Sequence, residues 1–142
     1  AQVTCWVDSY GPAMHEALAS AHPPAVAKPN REEYQQERAW LSCPELHLTD
    51  GAGGLKVRHP KGRFRVTPPR VAERNPIGSG DCYLAGLAHA RLSGFQLSEQ
   101  LRYAAAAGAA RADVARIGPE DIAPLLDRVT VGPAEHAEEA AP

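Results

Sequence analysis

The chain has 142 residues, 44% hydrophobic and 23% charged, a balance ordinary for a soluble globular domain and enough for one substantial core. A formal net charge of −2 with no long run of like charge gives no sequence-independent attraction to nucleic acid or to an anionic membrane surface, so neither is expected as a partner. Cys5, Cys43 and Cys82 are odd in number, far apart and without C-x-x-C spacing, which argues against a disulfide framework or a zinc site and for a reducing, cytoplasmic setting.

No stretch is long enough to span a bilayer, and the first residues lack the order of a signal peptide. The chain starts at Ala1 rather than Met, so a processed or partial product is expected. Val3 to Val7 is a short β-rich run ending in Asp8, and Gly11-Pro12 opens a helix to about Ala21 with Ala13, Ala17 and Leu18 on one face. Ala25 to Lys28 is a second strand, stopped by Pro29, and Arg31 to Leu41 has helical composition and spacing. Glu45 to Thr49 alternates as a third strand into the glycine turn Gly51 to Gly54, and Leu55–Arg58 and Arg63–Thr67 flank Pro60-Lys61-Gly62 as a hairpin.

From Gly80 the pattern is helical. Leu84, Leu87, Ala88 and Leu92 form an apolar stripe ending near Gly94, and Ser98 is expected to cap a second helix whose face is Leu101, Ala104, Ala105 and Gly108. Small residues on that face suit tight helix packing or a flat ligand lying on the helix. Gly118-Pro119 starts a short last helix to about Arg128, and residues 133–142, Ala/Glu-rich and without a core face, are expected to form a mobile tail. Residues 1–132 are read as one domain. The alternation implies an α/β layered fold with a mostly parallel sheet and a small antiparallel edge.

The most informative stretch is Asn75-Pro76-Ile77-Gly78-Ser79-Gly80-Asp81-Cys82. Two glycines permit a tight turn with N–H groups pointing outward, and the helix beginning near Ser79 adds partial positive charge, which together make an anion site. A carboxylate beside such a site repels phosphate unless it takes a proton from the attacking group, so Asp81 points to phosphoryl transfer to a hydroxyl; the plainer reading is that Asp81 favours the helix dipole. Other templates fail. There is no G-x-x-x-x-G-K-[ST], and no G-x-G-x-x-G because Lys56 stands where the third glycine would follow Gly51 and Gly53. The six histidines show no metal-ligand spacing, and no G-x-S-x-G elbow exists.

From Val3 to Val131 the chain resembles the C-terminal half of the ribokinase-like, PfkB-type carbohydrate kinases. Lys28-Pro29-Asn30-Arg31-Glu32-Glu33 is similar to the family's K-P-N-x-x-E, Thr49-Asp50-Gly51-Ala52-Gly53-Gly54 to its T-x-G-x-x-G, Asn75 to Asp81 to its N-x-x-G-[SA]-G-D, and Leu101 to Ala110 to the helix over the adenine. The resemblance implies an ATP-dependent kinase acting on a sugar or sugar phosphate. It implies Asp81 as catalytic base, and the backbone of Gly78, Ser79 and Gly80 as anion hole. By the same resemblance Asn30 and Glu33 hold magnesium (Mg2+) and its waters, and Lys28 offers a charge to a phosphate. Thr49, Gly51 and Gly54 lie along the nucleotide, and Ala105 and Gly108 leave room for the adenine. Asn30 and Glu33 fit a plain capping box equally well.

Three departures accompany the resemblance. The family's N-terminal part, with its lid and most sugar-binding groups, has no counterpart here. The segment between Glu33 and Glu45 is short, which leaves the strand order there open. Asn75-Pro76 stands where members using a monovalent cation have Asp-Thr, a feature nearer the phosphofructokinase and tagatose-phosphate kinase branch. The isolated chain is therefore expected to be inactive and prone to form a homo-oligomer through exposed apolar surface. A non-catalytic remnant that binds a nucleotide or a partner subunit is the alternative.

Overall fold

The computed structural model describes residues 3–50 and 53–134. They form two compact units, one reaching to Arg65 and rejoined by Pro133 and Ala134, the other spanning Val66–Gly132.

In the first unit, β1 (Trp6–Val7), β2 (Val26–Ala27) and β3 (Glu45–Thr49) are parallel neighbours, with Trp6 opposite Val26 and Val26 opposite Glu45. Helix α1 (Gly11–Ala19) makes the first crossover. Helix α2 (Arg31–Gln36) and a 3-10 turn (Ala39–Ser42) make the second. A parallel crossover needs about ten or more residues, so the short segment between Glu33 and Glu45 suffices and β2 stays beside β3.

The helix expected over 31–41 breaks at Glu37. That residue is extended, and its carboxylate accepts from the Arg38 and Ala39 amides at 2.7 Å each, starting a new turn. The Ala39 amide, aided by His15 and Arg38, holds this carboxyl below its ordinary value. The strand expected from Val3 is limited to Trp6–Val7, since Val3 is exposed and has nothing to pack on.

Met14 and Leu18 of α1 join Ala27, Trp40, Cys43 and Leu46 in one core. Ala13, expected on the buried face, is exposed, because the volume of Met14 commands the face that Ala13 was expected to share. Trp40 stacks on Tyr34 at 6.0 Å and its Nε1 donates to the Tyr34 carbonyl. The opposite side of β3 is polar yet closed. His47 is fully buried with Nε2 2.7 Å from Glu45 Oε1, and His59 Nε2 lies 3.7 Å from Glu45 Oε2. Burial of such groups is tolerated because they satisfy one another. The Cys43 thiol is pushed up by burial, consistent with an inert core residue.

Strand β4 (Leu55–His59) runs antiparallel to β3, with Thr49 opposite Leu55, and Pro60-Lys61 turns it into β5 (Gly62–Thr67). The hairpin matches the sequence expectation, but it is not the sheet's edge. The six strands lie in the order β1-β2-β3-β4-β5-β6, and β6 is Thr130–Pro133. Pro133, assigned to the tail by composition, thus ends a strand, and the Ala134 amide donates to the Arg63 carbonyl at 3.1 Å. Strand pairing needs only backbone groups, which composition does not report. The rest of the expected tail, 135–142, lies outside the described residues.

The second unit is built on two long helices, α3 (Ser79–Leu92) and α4 (Leu97–Asp113), followed by α5 (Pro119–Ile122) and a 3-10 turn (Ala123–Arg128). Gly94, at φ +77°, ends α3 by the left-handed route that glycine permits. Gln96, not Ser98, caps α4. Glu99 Oε2 accepts from the Gln96 amide at 3.0 Å, which leaves Ser98 inside the first turn.

The buried face of α3 is Tyr83, Gly86, Leu87 and Ala90, whereas Leu92 is 89% exposed. Of the expected stripe Leu87 lies on this face, and the rest of the face was passed over because the two helices approach most closely at small residues. A Cβ on Gly86 would lie 2.9 Å from Ala107 Cβ and 3.3 Å from Ala104 Cα. Leu101, Ala104 to Ala107, Ala110 and Ala112 are buried on α4.

Candidate functional site

In the first unit the sequence-predicted residues gather at the carboxyl ends of β2 and β3, where open α/β sheets bind ligands. The Thr49 amide donates to the Pro29 carbonyl at 3.0 Å, and Asn30 and Thr49 form a parallel bridge that sets the two motifs side by side. Lys28 is buried, with Nζ 3.1 Å from Asp8 Oδ2 at the end of β1. Its charge is already balanced. Asp8 is the residue that sequence reasoning passed over, and the signal was an acid standing just beyond a strand.

Asn30 caps α2. Its Oδ1 accepts from the Glu33 amide at 2.9 Å, and Glu33 Oε2 accepts from the Asn30 amide at 2.8 Å, so the capping box is formed in full. Glu33 Oε1 has no partner among the described residues. Past Thr49 the chain turns, with the Asp50 amide donating to the Gly54 carbonyl and the Gly53 amide to the Asp50 carbonyl. Gly54 is buried at φ +95°, a conformation that favours glycine. Gly51, a predicted nucleotide contact, lies outside the described residues. Arg31, Asp50, Gly53, Gly54, Lys56 and Arg65 line a cleft of about 140 Å³ here, with Arg31 Nη2 3.4 Å from Asp50 Oδ2.

In the second unit, Gly78 at φ +84° caps the 14-residue helix α3. Asn75 holds the approach to it: its Oδ1 accepts from the Ile77 amide, and the Arg74 and Asn75 amides both donate to the Ala112 carbonyl. The Ser79 amide is turned onto the Pro76 carbonyl at 3.1 Å, so one of the three expected anion-hole donors is engaged. The Gly78 and Gly80 amides have no acceptor among the described residues, as befits the first turn of a helix. Ser79 Oγ is buried and without a hydrogen-bond partner.

Asp81 is exposed and makes no hydrogen bond or ion pair among the described residues. Gly108 is brought to this turn, since a Cβ there would sit 3.1 Å from the Ser79 carbonyl oxygen. Ala105 is buried within the helix packing. The turn therefore offers uncommitted amides, the positive end of a helix and a free carboxylate, which are the parts needed to hold an anion and accept a proton.

The fold is the ribokinase-like α/β fold. It is similar to phosphofructokinase-2 from Escherichia coli in its tetrameric inhibited form, at TM-score 0.76 and 22% identity over 88% of this chain and 46% of that one. The same enzyme in complex with substrates and products matches at TM-score 0.74 and 24% identity, over 87% and 47%. A Thermotoga maritima protein described as a possible 1-phosphofructokinase matches at TM-score 0.75 and 17% identity, over 94% and 48%. This chain thus spans less than half the length of these proteins. A sequence model of the pfkB carbohydrate kinase family matches residues 1–115, and the chain belongs to that family. Among the described residues, no helix is long and apolar enough to cross a membrane.

Proposed function

We propose that this chain carries the nucleotide site, anion hole and catalytic base of an ATP-dependent kinase that phosphorylates a hydroxyl of a sugar or sugar phosphate. The observation that carries the reading is Asp81, exposed and unpaired in the first turn behind left-handed Gly78, in a chain of a carbohydrate kinase family. Asp81 takes the proton from the attacking hydroxyl while the Gly78 and Gly80 amides face the transferring phosphoryl oxygens. From the first unit, Thr49 and Gly54 contact the nucleotide, and Lys28, whose ammonium is shared with Asp8, offers a charge to a phosphate. Ala105 and Gly108, expected to leave room for the adenine, instead serve the packing of α4 on α3, Ala105 being buried and Gly108 lying against the Ser79 carbonyl.

The donor set at the start of α2 fits magnesium. Asn30 and Glu33 supply hard oxygens, and Glu33 Oε1 is uncommitted. No cluster of three acidic, histidine or cysteine ligands occurs among the described residues. That accords with an ion that keeps most of its waters and takes only one or two protein ligands. When bound, magnesium neutralises phosphate charge. If the pair serves the metal, Glu33→Gln raises the magnesium concentration needed for activity and leaves thermal stability nearly unchanged. An unaltered magnesium requirement, or a large stability loss instead, returns the pair to capping alone.

The second reading is a nucleotide-binding or subunit-interaction module without catalysis. Calorimetric titration of the 142-residue chain with magnesium-ATP, beside a coupled assay over hexoses, pentoses and hexose phosphates, tests the nucleotide site and the acceptor site in turn. Weak nucleotide binding and no turnover at an enzymatic rate are expected, because phosphate contacts open to water lose much of their strength. Efficient turnover of one sugar would show the acceptor site to be misplaced. Absence of nucleotide binding would remove the kinase reading.

A further inference from the structure

We propose that Arg111 belongs to the anion-binding turn, adding a fixed positive charge to the phosphate that Gly78 to Asp81 hold. This rests on the role just proposed for that turn. Arg111 sits in the last turn of α4 with its guanidinium beside Gly78: the point a Gly78 Cβ would occupy is 3.4 Å from Arg111 Nε, 3.8 Å from Nη2 and 3.9 Å from Cζ. Its Nη1 donates to the Val114 carbonyl at 3.3 Å, which fixes the plane of the group.

No carboxylate pairs with Arg111 among the described residues. Asp113, the acid nearest it on α4, lies 3.3 Å from Arg74 instead, and Asp81 forms no ion pair. A half-buried guanidinium without a counterion, placed against the positive end of another helix, is electrostatically unfavourable on the α3 side. An anion at the turn converts that repulsion into attraction to both. The buried, unpartnered Ser79 hydroxyl at the same turn is a further group with hydrogen-bonding capacity to spare. Gly78 is favoured here by its left-handed backbone at φ +84°. The fork of an arginine suits two phosphate oxygens at once, so a polyphosphate is the ligand class expected.

The test titrates the 142-residue chain with inorganic tripolyphosphate and with magnesium-ATP at about 50 mM and about 200 mM salt, for the wild type, Arg111→Gln and Arg111→Lys, with a thermal melt of each. Arg111→Gln is expected to weaken tripolyphosphate binding roughly tenfold and to flatten its salt dependence. Arg111→Lys, which keeps the charge, is expected to retain the salt dependence and to stay within about threefold of wild-type affinity. Should Arg111→Gln fail to fold, the Arg111→Lys result decides alone, loss of the salt dependence overturning the proposal. Unchanged affinity and salt dependence in Arg111→Gln, with or without a lowered melting temperature, would make Arg111 a prop for the end of α4 and leave the Gly78 to Asp81 assignment standing. If the wild type binds neither phosphate, both proposals fall together.

Discussion

Asp81→Asn lowers turnover about a hundredfold or more while nucleotide affinity stays nearly unchanged, if Asp81 is the base. The amide has the carboxylate's size and shape but accepts no proton at neutral pH, so it removes one step and little else. Asp81 is exposed and bonded to nothing among the described residues, so its replacement breaks no internal contact. Its only structural service is a charge in the first turn of α3, worth less than about 1 kcal/mol at an exposed site. Steady-state kinetics on the protein as it is made in its own cell, with magnesium-ATP titration and a thermal melt of the variant, gives the answer. Near-normal turnover would end the assignment, and a large fall in melting temperature would show that the carboxylate holds the fold rather than the reacting proton.

Gly86→Leu carries the largest expected loss of stability, about 3 kcal/mol, seen as a melting temperature lower by about 10 °C. Gly86 is buried where α3 crosses α4, and even a methyl group there would stand 2.9 Å from Ala107 Cβ and 3.3 Å from the α4 backbone at Ala104. Neither neighbour has a rotamer to move away with, so the helices must part. Gly86→Ala is expected to cost less, because alanine's better helix propensity returns about 1 kcal/mol of the strain. An unchanged melting temperature for Gly86→Leu would mean that the helices do not approach closely at this point.

Backbone-encoding residues made much of this fold readable. Pro29, Gly94 and the Pro60-Lys61 turn mark the ends of elements wherever they fall, and Asn30 with Glu33 announces the start of α2 by a box that the structure forms in full. Legibility failed where a side chain's partner is chosen by three-dimensional context. Glu37 looks like one more helix former until its carboxylate is seen on the Arg38 and Ala39 amides. Ser98 is the better cap by residue type, yet Gln96 takes the position because Glu99 stands three residues on. The Leu84–Leu92 stripe misled because glycine and alanine score low on hydrophobicity while permitting the closest packing. At the site, the Gly78 turn and the exposure of Asp81 follow from glycine spacing and charge, but the pairing of Lys28 with Asp8 joins two strand ends distant in sequence and leaves no local trace.

The tightest points between α3 and α4 are Gly86 against Ala104 and Ala107, and Gly108 against the Ser79 carbonyl, where no side chain has a torsion angle to select. Ordering them on folding costs no rotamer entropy, unlike a leucine seam. The same property removes any graded way for this joint to relax. A contact between rotamers can absorb a small push by repacking, whereas these points have none to change, and the Ser79 carbonyl against Gly108 is one of them. Motion at the Gly78 to Asp81 turn is therefore coupled to α4 as by a rigid link, and displacement of either helix carries the other with it.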